Sequence, residues 1–236
     1  MTEIAARCFY KEAAAVAADG VFRVELDGRP VRSPMGTVLT LPAEALASAV
    51  AEEWRNQGDT IVPAAMPMMQ LACTAIDRVG PNRQTVIADT AAYGASDLLC
   101  YRADAPADLV ALQEERWQPV LDWLAATFGA RLAVTAGIVH VEQPADSLDA
   151  LQAAVADFDT YPLTAVVRMT QVFGSLGLAL AVAHGRLDHV TALAAAQLDE
   201  IYQAEKWGDD REAVERRRNV AAEAAQAARF LGLVGA

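Results

Sequence analysis

Alternating apolar and polar positions mark the start of the chain as β structure. Between Phe22 and Leu26 apolar residues alternate with charged ones, which is the period of a strand with one buried face. Asp19-Gly20 and Asp27-Gly28 flank this segment, and both pairs are typical hairpin turns. Residues 37–41 continue the apolar pattern. The first forty residues therefore predict a small antiparallel meander.

Helical periodicity begins after the meander. Pro42 suits the first turn of a helix that runs to about Asn56. Leu46, Val50 and Trp54 recur at the spacing of one helix face. We interpret Trp54 as a core residue that ties this helix to the sheet, with direct partner contact as the minority interpretation.

The remainder of the chain predicts mostly helices. Residues 68–77 and 82–93 give two of them, separated by Gly80-Pro81. An extended stretch is expected near residues 132–141. The further predicted helices are 106–128, 147–158, 163–183, 188–206 and 209–231. Together these patterns predict an α+β protein. A β-meander domain with flanking helices occupies residues 1–95, and an all-helical C-terminal domain occupies residues 96–236.

Several residues predict how individual helices begin and end. Pro119 should kink or divide the helix that contains it, and Ser147 is a candidate cap of the helix that follows. Asp188 is a second candidate cap, and Gly208 a candidate left-handed helix stop. The segment Gly174–Gly177 falls inside an apolar helix, where small residues would let neighbouring helices approach closely.

Bulk composition limits the classes of function. The chain has 236 residues, 54% of them hydrophobic, which is ample for an ordered core. Its formal net charge of −12 disfavours binding to nucleic acid or to an anionic membrane surface. The longest uninterrupted apolar run, residues 172–183, is shorter than the ~20 residues that a membrane-spanning helix needs. We therefore expect no membrane insertion.

Cysteine usage and the N-terminal residues suggest a compartment. Cys8, Cys73 and Cys100 are widely spaced and odd in number, so they form neither a disulfide framework nor a zinc pattern. Residues 1–7 lack the apolar core of a secretion signal and the composition of a mitochondrial transit peptide. We expect a bacterial cytoplasmic protein with reduced thiols, or else a mature organelle chain.

Motifs of catalysis are missing from the sequence. It has no P-loop, no dinucleotide fingerprint and no nucleophile elbow. His184 and His189 are five positions apart, which does not place two ligands on one helix face. His140 stands alone in the extended stretch, where we expect a half-buried side chain. We therefore predict no cofactor and no metal site, and no motif in the sequence points to a particular reaction.

The most informative segment is the acidic block of residues 198–210. It holds five carboxylates around Tyr202 and Trp207 at the end of a predicted helix. No nucleophile, histidine or phosphate loop lies nearby, so the composition favours recognition over reaction. From the residues alone, a solvated helix face with one salt bridge is the simpler interpretation.

The helical wheel separates the acids of this block. Glu205 falls on the apolar face, so we expect it to pair with an arginine among residues 216–218. Asp199 and Glu200 point away from that face and would be free to meet a partner. Trp207 is equally well interpreted as a hydrophobic clamp at the helix end and as an interface anchor.

Five segments resemble, in order, those of one known family. It comprises the assembly chaperones that bind the α subunit of F-type ATP synthase before the catalytic head (F₁) is built. The segments are Leu26–Pro34, Glu53–Trp54, Thr74–Val79, Asp97–Arg102 and the acidic block. The resemblance spans about Phe9 to Arg229. Cys73 departs from it, because many relatives are expected to have asparagine there.

The resemblance implies a chaperone without enzyme activity. Members of the family are expected in the bacterial cytoplasm and, in eukaryotes, in the mitochondrial matrix. Its implied partner is the α subunit, which a monomeric chaperone would hold and release to the β subunit. An acidic position in the block is linked with function in that family. Glu200 is therefore the first candidate for partner binding, followed by Asp199 and Glu205, with Trp207 beside them.

Two other classes of function stay open at this point. One is a hydrolase that uses Asp97 and Tyr101 near the domain junction. The other is an oligomerisation scaffold built from the alanine-rich helices.

Overall fold

The computed structural model describes residues 7–137 and 139–235 and confirms the α+β class. The strands are β1 (Ala13–Ala18), β2 (Val21–Leu26), β3 (Arg29–Pro30), β4 (Thr40–Leu41), β5 (Tyr101–Arg102) and β6 (Thr135–Ala136). The helices are α1 (Glu44–Arg55), α2 (Pro67–Thr74), α3 (Arg83–Ala91), α4 (Ala107–Phe128), α5 (Ala145–Ala156), α6 (Thr160–Phe173), α7 (Leu176–Ala183), α8 (His189–Ala196), α9 (Leu198–Trp207) and α10 (Arg211–Val234). A π-helical turn, Ala75–Val79, follows α2.

The meander forms as its turn residues predict. Asp19 and Gly20 have positive φ angles of 52° and 82°, the conformation of a tight hairpin turn that joins β1 to β2. Asp27 and Gly28 do the same between β2 and β3. β4 pairs with β2, so β2 lies inside the sheet. Val24 is fully buried, as the alternation requires.

Helix α1 packs on β1 and β2 through its predicted apolar face. Leu46 and Val50 are fully buried, whereas Trp54 is only half-buried. The Trp54 ring meets the ring of Tyr10 edge to face at 5.5 Å, and the Tyr10 hydroxyl donates to the Trp54 carbonyl at 2.6 Å. Trp54 therefore anchors Tyr10, which precedes β1, to α1. Pro42 precedes the helix, which begins at Glu44, because Ala43 occupies the N-cap position.

The chain folds into two compact units. Among the described residues, the first unit contains those up to Arg83, Thr160–Ala165 and those from Arg229 onward, and the second contains those of Gln84–Asp159 and Val166–Ala228. Leu46 and Met68 are fully buried in the first unit, and Leu124 and Met169 in the second. The domain boundary that the sequence predicts after residue 95 stays a prediction.

In the second unit, α4 runs unbroken through Pro119, so the proline does not divide it. Ser147 is not a cap, because α5 begins two residues earlier and the Ser147 hydroxyl donates to the Arg131 carbonyl at 2.9 Å. Asp188 does cap α8, where its carboxylate accepts from the Val190 and Thr191 amides. Gln197 separates α8 from α9 where one continuous helix was expected.

The apolar stretch expected to form one helix over residues 163–183 forms two. Gly174 adopts the left-handed conformation, with φ 64°, and ends α6. Ser175 then caps α7 by accepting from the Leu178 amide at 3.0 Å. The close approach predicted for the segment Gly174–Gly177 is confirmed at Gly177. A Cβ on Gly177 would lie 3.0 Å from a methyl carbon of Leu124.

The helical unit also contains one short extended pairing. β5 and β6 run parallel, with Tyr101 opposite Thr135. This pairing accounts for the extended stretch predicted near residues 132–141. In the described residues, no helix has both the length and the apolar character required to cross a membrane.

Candidate functional site

An open groove of about 440 Å³ lies between α4, α8 and α9 in the second unit. Its lining side chains are mostly aliphatic, with Arg116 and Glu205 as the charged members. Val190 on α8 is 64% exposed and lines this groove. The groove is lined by Leu112, Arg116, Leu187, Val190, Thr191, Ala194, Ala195, Leu198, Ile201, Tyr202 and Glu205. This arrangement suits contact with another apolar surface.

Helix α9 forms one wall because it is amphipathic. Leu198 and Tyr202 are buried, as the helical wheel predicts. The same face continues to Ile201, which is half-buried, and to Glu205, which is exposed and lines the groove. The last turn of α9 thus extends beyond the packed core. Glu205 occupies an apolar-face position because that face opens onto the groove there.

Two interactions hold α9 against the start of α4. The Tyr202 hydroxyl donates to Asp108 at 2.7 Å, and the Lys206 ammonium lies 3.3 Å from the same carboxylate. The Tyr202 hydrogen bond and the Lys206 charge lower the pKa of Asp108 below its ordinary value. Asp108 is therefore ionised at neutral pH and fixes the orientation of this helix.

Asp199 is positioned by a buried amide. Its Oδ1 accepts a hydrogen bond from Gln113 Nε2 at 2.7 Å. The fully buried Gln113 in turn accepts from the Ala103 amide at 2.7 Å. Asp199 is thus not the free acid that the helical wheel predicts. Its carboxylate completes the hydrogen bonding of a polar side chain inside the unit.

Glu200 lies in an ion-pair network. Its Oε1 accepts from Arg216 at 2.6 Å and from Arg217 at 3.0 Å, and Arg217 also contacts Asp209. Burial opposes ionisation of Glu200, but the two arginines outweigh it and lower its pKa. The arginine pairing expected for Glu205 is therefore wrong, because the start of α10 lies against the Glu200 side of α9.

Trp207 ends α9 and is 77% exposed. A hydrophobic clamp would bury the ring, so this exposure argues against the clamp interpretation. Gly208 follows with φ 89° and ψ 165°, which is positive but outside the left-handed helical region expected from the sequence. The Asp210 carboxylate accepts from the Ala213 amide at 2.8 Å and so caps α10.

The groove walls on α4 and α8 were not predicted. Leu112 and Val190 look like ordinary core residues in the sequence, because each stands in a helical apolar pattern. Only the packing of three helices leaves them uncovered. Their separation along the chain gives no local signal for a shared surface.

Asp97 and Tyr101, the residues of the hydrolase alternative, are engaged in hydrogen bonds within the protein. Asp97 is fully buried, and its oxygens accept from Ser175 Oγ at 2.7 Å and from the Gly177 and Leu99 amides at 3.0 and 3.1 Å. Burial raises the pKa of Asp97, while these donors oppose that rise. The Tyr101 hydroxyl instead pairs with His140 Nδ1 at 3.1 Å. A buried carboxylate with three donors is not presented to a substrate.

Two of the three histidines, His184 and His140, contact aromatic side chains. The ring of His184 lies 5.2 to 6.0 Å from the rings of Trp123, Phe128 and Phe158. His140 is exposed, not half-buried as expected. In the part of the chain that the structure describes, no group of three potential ligands could hold a metal ion.

Five segments carry the family resemblance, and four of them contain an acid whose carboxylate accepts hydrogen bonds from backbone amides. Asp27 accepts from the amides of residues 11 and 12. Glu53 accepts from the first amides of α2, Met68 at 2.7 Å and Met69 at 2.8 Å. Asp77 accepts from Ser33 Oγ at 2.7 Å and from the Met35 amide at 3.2 Å. Asp97, described above, is the fourth. The acids of these four segments therefore stabilise the fold, whereas the acidic block lies beside the groove.

Comparison with known proteins identifies the family. The sequence profile of the ATP12 chaperone protein family matches residues 7–125. The crystal structure of Atp12 from Paracoccus denitrificans superposes with a TM-score of 0.93 at 42% identity, covering 97% of this chain and 98% of that one. A protein from Agrobacterium tumefaciens superposes with a TM-score of 0.92 at 38% identity, covering 97% and 86% of the two chains.

A mitochondrial protein is also similar. Protein atp12 of Schizosaccharomyces pombe is 25% identical over 214 residues, which cover 86% of this chain and 74% of the yeast protein. The family match, the structural match and this relative agree with the ordered segments of the sequence. The chain therefore belongs to the ATP12 chaperone family, whose role lies in the assembly of ATP synthase.

Proposed function

We propose that this protein binds the unassembled α subunit of the F-type ATP synthase catalytic head and releases it to the β subunit. It acts as a monomer in the bacterial cytoplasm and makes or breaks no covalent bond. The observation that carries the proposal is the exposed apolar groove of α4, α8 and α9, with Glu205 in its wall and Trp207 at the end of the same helix.

The groove has the composition of a transient interface. Its lining is mostly aliphatic and includes the charged Arg116 and Glu205, a mixture that suits an interface that must form and separate. A subunit that lacks its neighbours exposes partly apolar faces that are prone to aggregate. Covering such a face by mass action would protect it until the proper neighbour displaces the chaperone.

The acids of the block would contribute in two ways. Glu205 and Trp207 are exposed and can meet the α subunit directly. Asp199 orients α9 through Gln113, so it would act through the position of the helix. The Glu200 side chain keeps 34% of its surface exposed, which lets a cationic side chain of the partner approach its carboxylate.

The absence of catalysis is part of the proposal. It is supported by the family and by the surroundings of Asp97, whose oxygens are occupied by three donors inside the unit. An oligomerisation scaffold would instead use the groove for a second copy of the chain. Sedimentation of the purified protein over a range of concentrations separates this alternative from a monomer.

Capture of purified subunits tests the proposal. Immobilised chaperone is expected to retain the α subunit, to ignore the β subunit, and to release α when β is added. The Glu205→Lys variant should retain less α, whereas Val139→Lys, a change at an exposed position outside the groove, should retain as much as the wild type. Failure of the wild type to retain α would overturn the proposal.

A further inference from the structure

A second groove, of about 570 Å³, lies in the first unit between the segment around Met35 and helix α2. We call it the Met35 groove. Its floor is formed by buried Ile61, Met66 and Cys73, with Met69 half-buried beside them. Met35 stands at its edge with 71% of its surface exposed. Its apolar lining thus includes three methionines, side chains whose flexible thioethers adapt to varied partners.

The edge of the Met35 groove is held firmly. Met35 lies in a tight turn, closed by a hydrogen bond from the Gly36 amide to the Ser33 carbonyl at 2.9 Å. The buried Asp77 carboxylate ties this turn down by accepting from Ser33 Oγ and from the Met35 amide. A large apolar side chain is therefore exposed on a fixed backbone. Exposure of this apolar side chain to water is unfavourable in the free protein, so contact with another apolar group is favoured.

The opposite side of the Met35 groove is fixed as well. Glu53 accepts from the first amides of α2, at Met68 and Met69, and so fixes the start of the helix that carries Met69. The two sides of the groove are thus each held by a buried carboxylate. A preformed groove loses less conformational entropy on binding than a mobile surface does.

The charges at the Met35 groove indicate what would occupy it. Arg32, Asp77 and Arg78 are its charged side chains. Asp77 is buried and its oxygens are already bonded, whereas both arginines are exposed. The Arg32 guanidinium donates to the Gly36 carbonyl at 2.6 Å. Within residues 7–137 and 139–235, neither arginine has an ion pair. In a chain of net charge −12, the groove thus combines an apolar floor with unpaired positive charge.

We propose that the Met35 groove is a second docking surface, which takes a segment of client polypeptide with apolar side chains next to a carboxylate. The apolar side chains would contact Met35, Met66 and Met69, and the carboxylate would pair with Arg78 or Arg32. The proposal rests on the proposed chaperone function in taking the occupant to be a client protein. It differs in placing a contact on the first unit, where the acidic block has no part.

Peptide binding to the full-length protein tests this inference without the α subunit. The probes are two fluorescein-labelled peptides that share leucine and methionine positions, one with glutamates between them and its twin with lysines. Fluorescence anisotropy should show the acidic peptide binding about tenfold more tightly than the basic twin. Met35→Glu should weaken binding of the acidic peptide about tenfold, because it replaces an apolar contact with a negative charge that repels the glutamates of the peptide.

Three variants serve as controls. Met35→Leu keeps an apolar side chain and should bind the acidic peptide as the wild type does. Val139→Glu adds the same charge at a position that is 72% exposed and outside the Met35 groove, and it should change nothing. Arg78→Glu should weaken binding of the acidic peptide and strengthen binding of the basic twin. Equal thermal melting of all variants shows that the fold is intact.

The inference is overturned if the two peptides bind alike, if neither binds, or if Met35→Glu binds the acidic peptide unchanged. A dimer that Met35→Glu dissociates would assign the Met35 groove to a second copy and would overturn it equally. These results are independent of subunit capture. Peptide binding without α-subunit capture removes only the proposed partner, and α-subunit capture without peptide binding removes only this groove.

Discussion

The carboxylate of Glu200 on α9 lies 2.6 Å from the guanidinium of Arg216 on α10. Arg217 reaches the same oxygen at 3.0 Å and also contacts Asp209, so the four side chains form one network. The network neutralises much of the negative charge on that side of α9. The exposed acid at the groove is Glu205, on the other side of the helix. Within the acidic block, one acid thus stabilises the fold and another borders the groove.

The first prediction concerns the stability that Glu200 provides. Glu200→Gln removes the charge but keeps an acceptor, so it should lower stability by about 1 kcal/mol or less at neutral pH, as expected for a half-exposed network. The folded pKa of Glu200 is lowered, so its stabilisation is complete above the unfolded pKa, about 4.3. It is lost as the pH falls through the folded pKa.

Thermal melting of wild type and Glu200→Gln over a series of pH values checks this. The difference in melting temperature should be largest at neutral pH and should close in acid. Glu205→Gln is the matched control on the same helix and should show little difference at any pH. A gap between wild type and Glu200→Gln that widens in acid would contradict the assignment.

The second prediction concerns partner binding by the exposed end of α9. Trp207→Ala should weaken α-subunit binding about tenfold or more, because a large exposed aromatic ring is typical of an interface hot spot. Since the ring is 77% exposed, the variant should melt at the temperature of the wild type. Biolayer interferometry with purified α subunit measures the affinity. Val139→Ala, also at an exposed position, is the control. Equal affinity of Trp207→Ala and wild type would remove Trp207 from the site.

The third prediction separates a structural acid from a catalytic one. Asp97→Ala leaves Ser175 Oγ and the Leu99 and Gly177 amides without their acceptor, so unfolding free energy should fall by about 3 kcal/mol. Ser175→Ala removes one donor and one cap and should cost about 1 kcal/mol. Urea denaturation measures both. Unchanged stability of Asp97→Ala would contradict the structural role and revive the hydrolase alternative.

The fourth prediction concerns the start of α2. Glu53→Ala removes the acceptor of the Met68 and Met69 amides, and it should destabilise the protein by about 2 kcal/mol. The neighbouring Glu52 is exposed, so Glu52→Ala should cost little and is the matched control. Urea denaturation of the pair checks the difference. An equal loss of unfolding free energy in Glu53→Ala and Glu52→Ala would show that the Glu53 carboxylate does not cap α2.

Local patterns predicted much of the fold because their causes are local. The Asp19-Gly20 and Asp27-Gly28 turns need positive φ angles, and those residue types supply them at little cost. Asp188 caps its helix through its own next residues, so sequence alone identifies it. Gly174 ends α6 where the apolar pattern predicts a helix interior, because an isolated glycine in an apolar stretch is compatible with both a helix interior and a helix end.

The candidate site depends on contacts that no local pattern contains. Glu200 pairs with Arg216 because α10 folds back along one side of α9, and a helical wheel of α9 cannot show which side that is. Asp199 meets Gln113 from α4, 86 positions away. The groove needs Leu112 and Val190 to remain uncovered, although both have the pattern of core residues. The composition of the block predicted recognition, and packing decides which acids remain available.

Displacement of the chaperone by the β subunit tests the central claim most directly. Purified α subunit is mixed with the full-length protein, and size-exclusion chromatography with light scattering records the masses before and after β is added. We predict a complex of one chaperone with one α subunit, which β converts into free chaperone and an assembly of α with β. No complex with α, or a complex that persists unchanged when β is present, would contradict the claim.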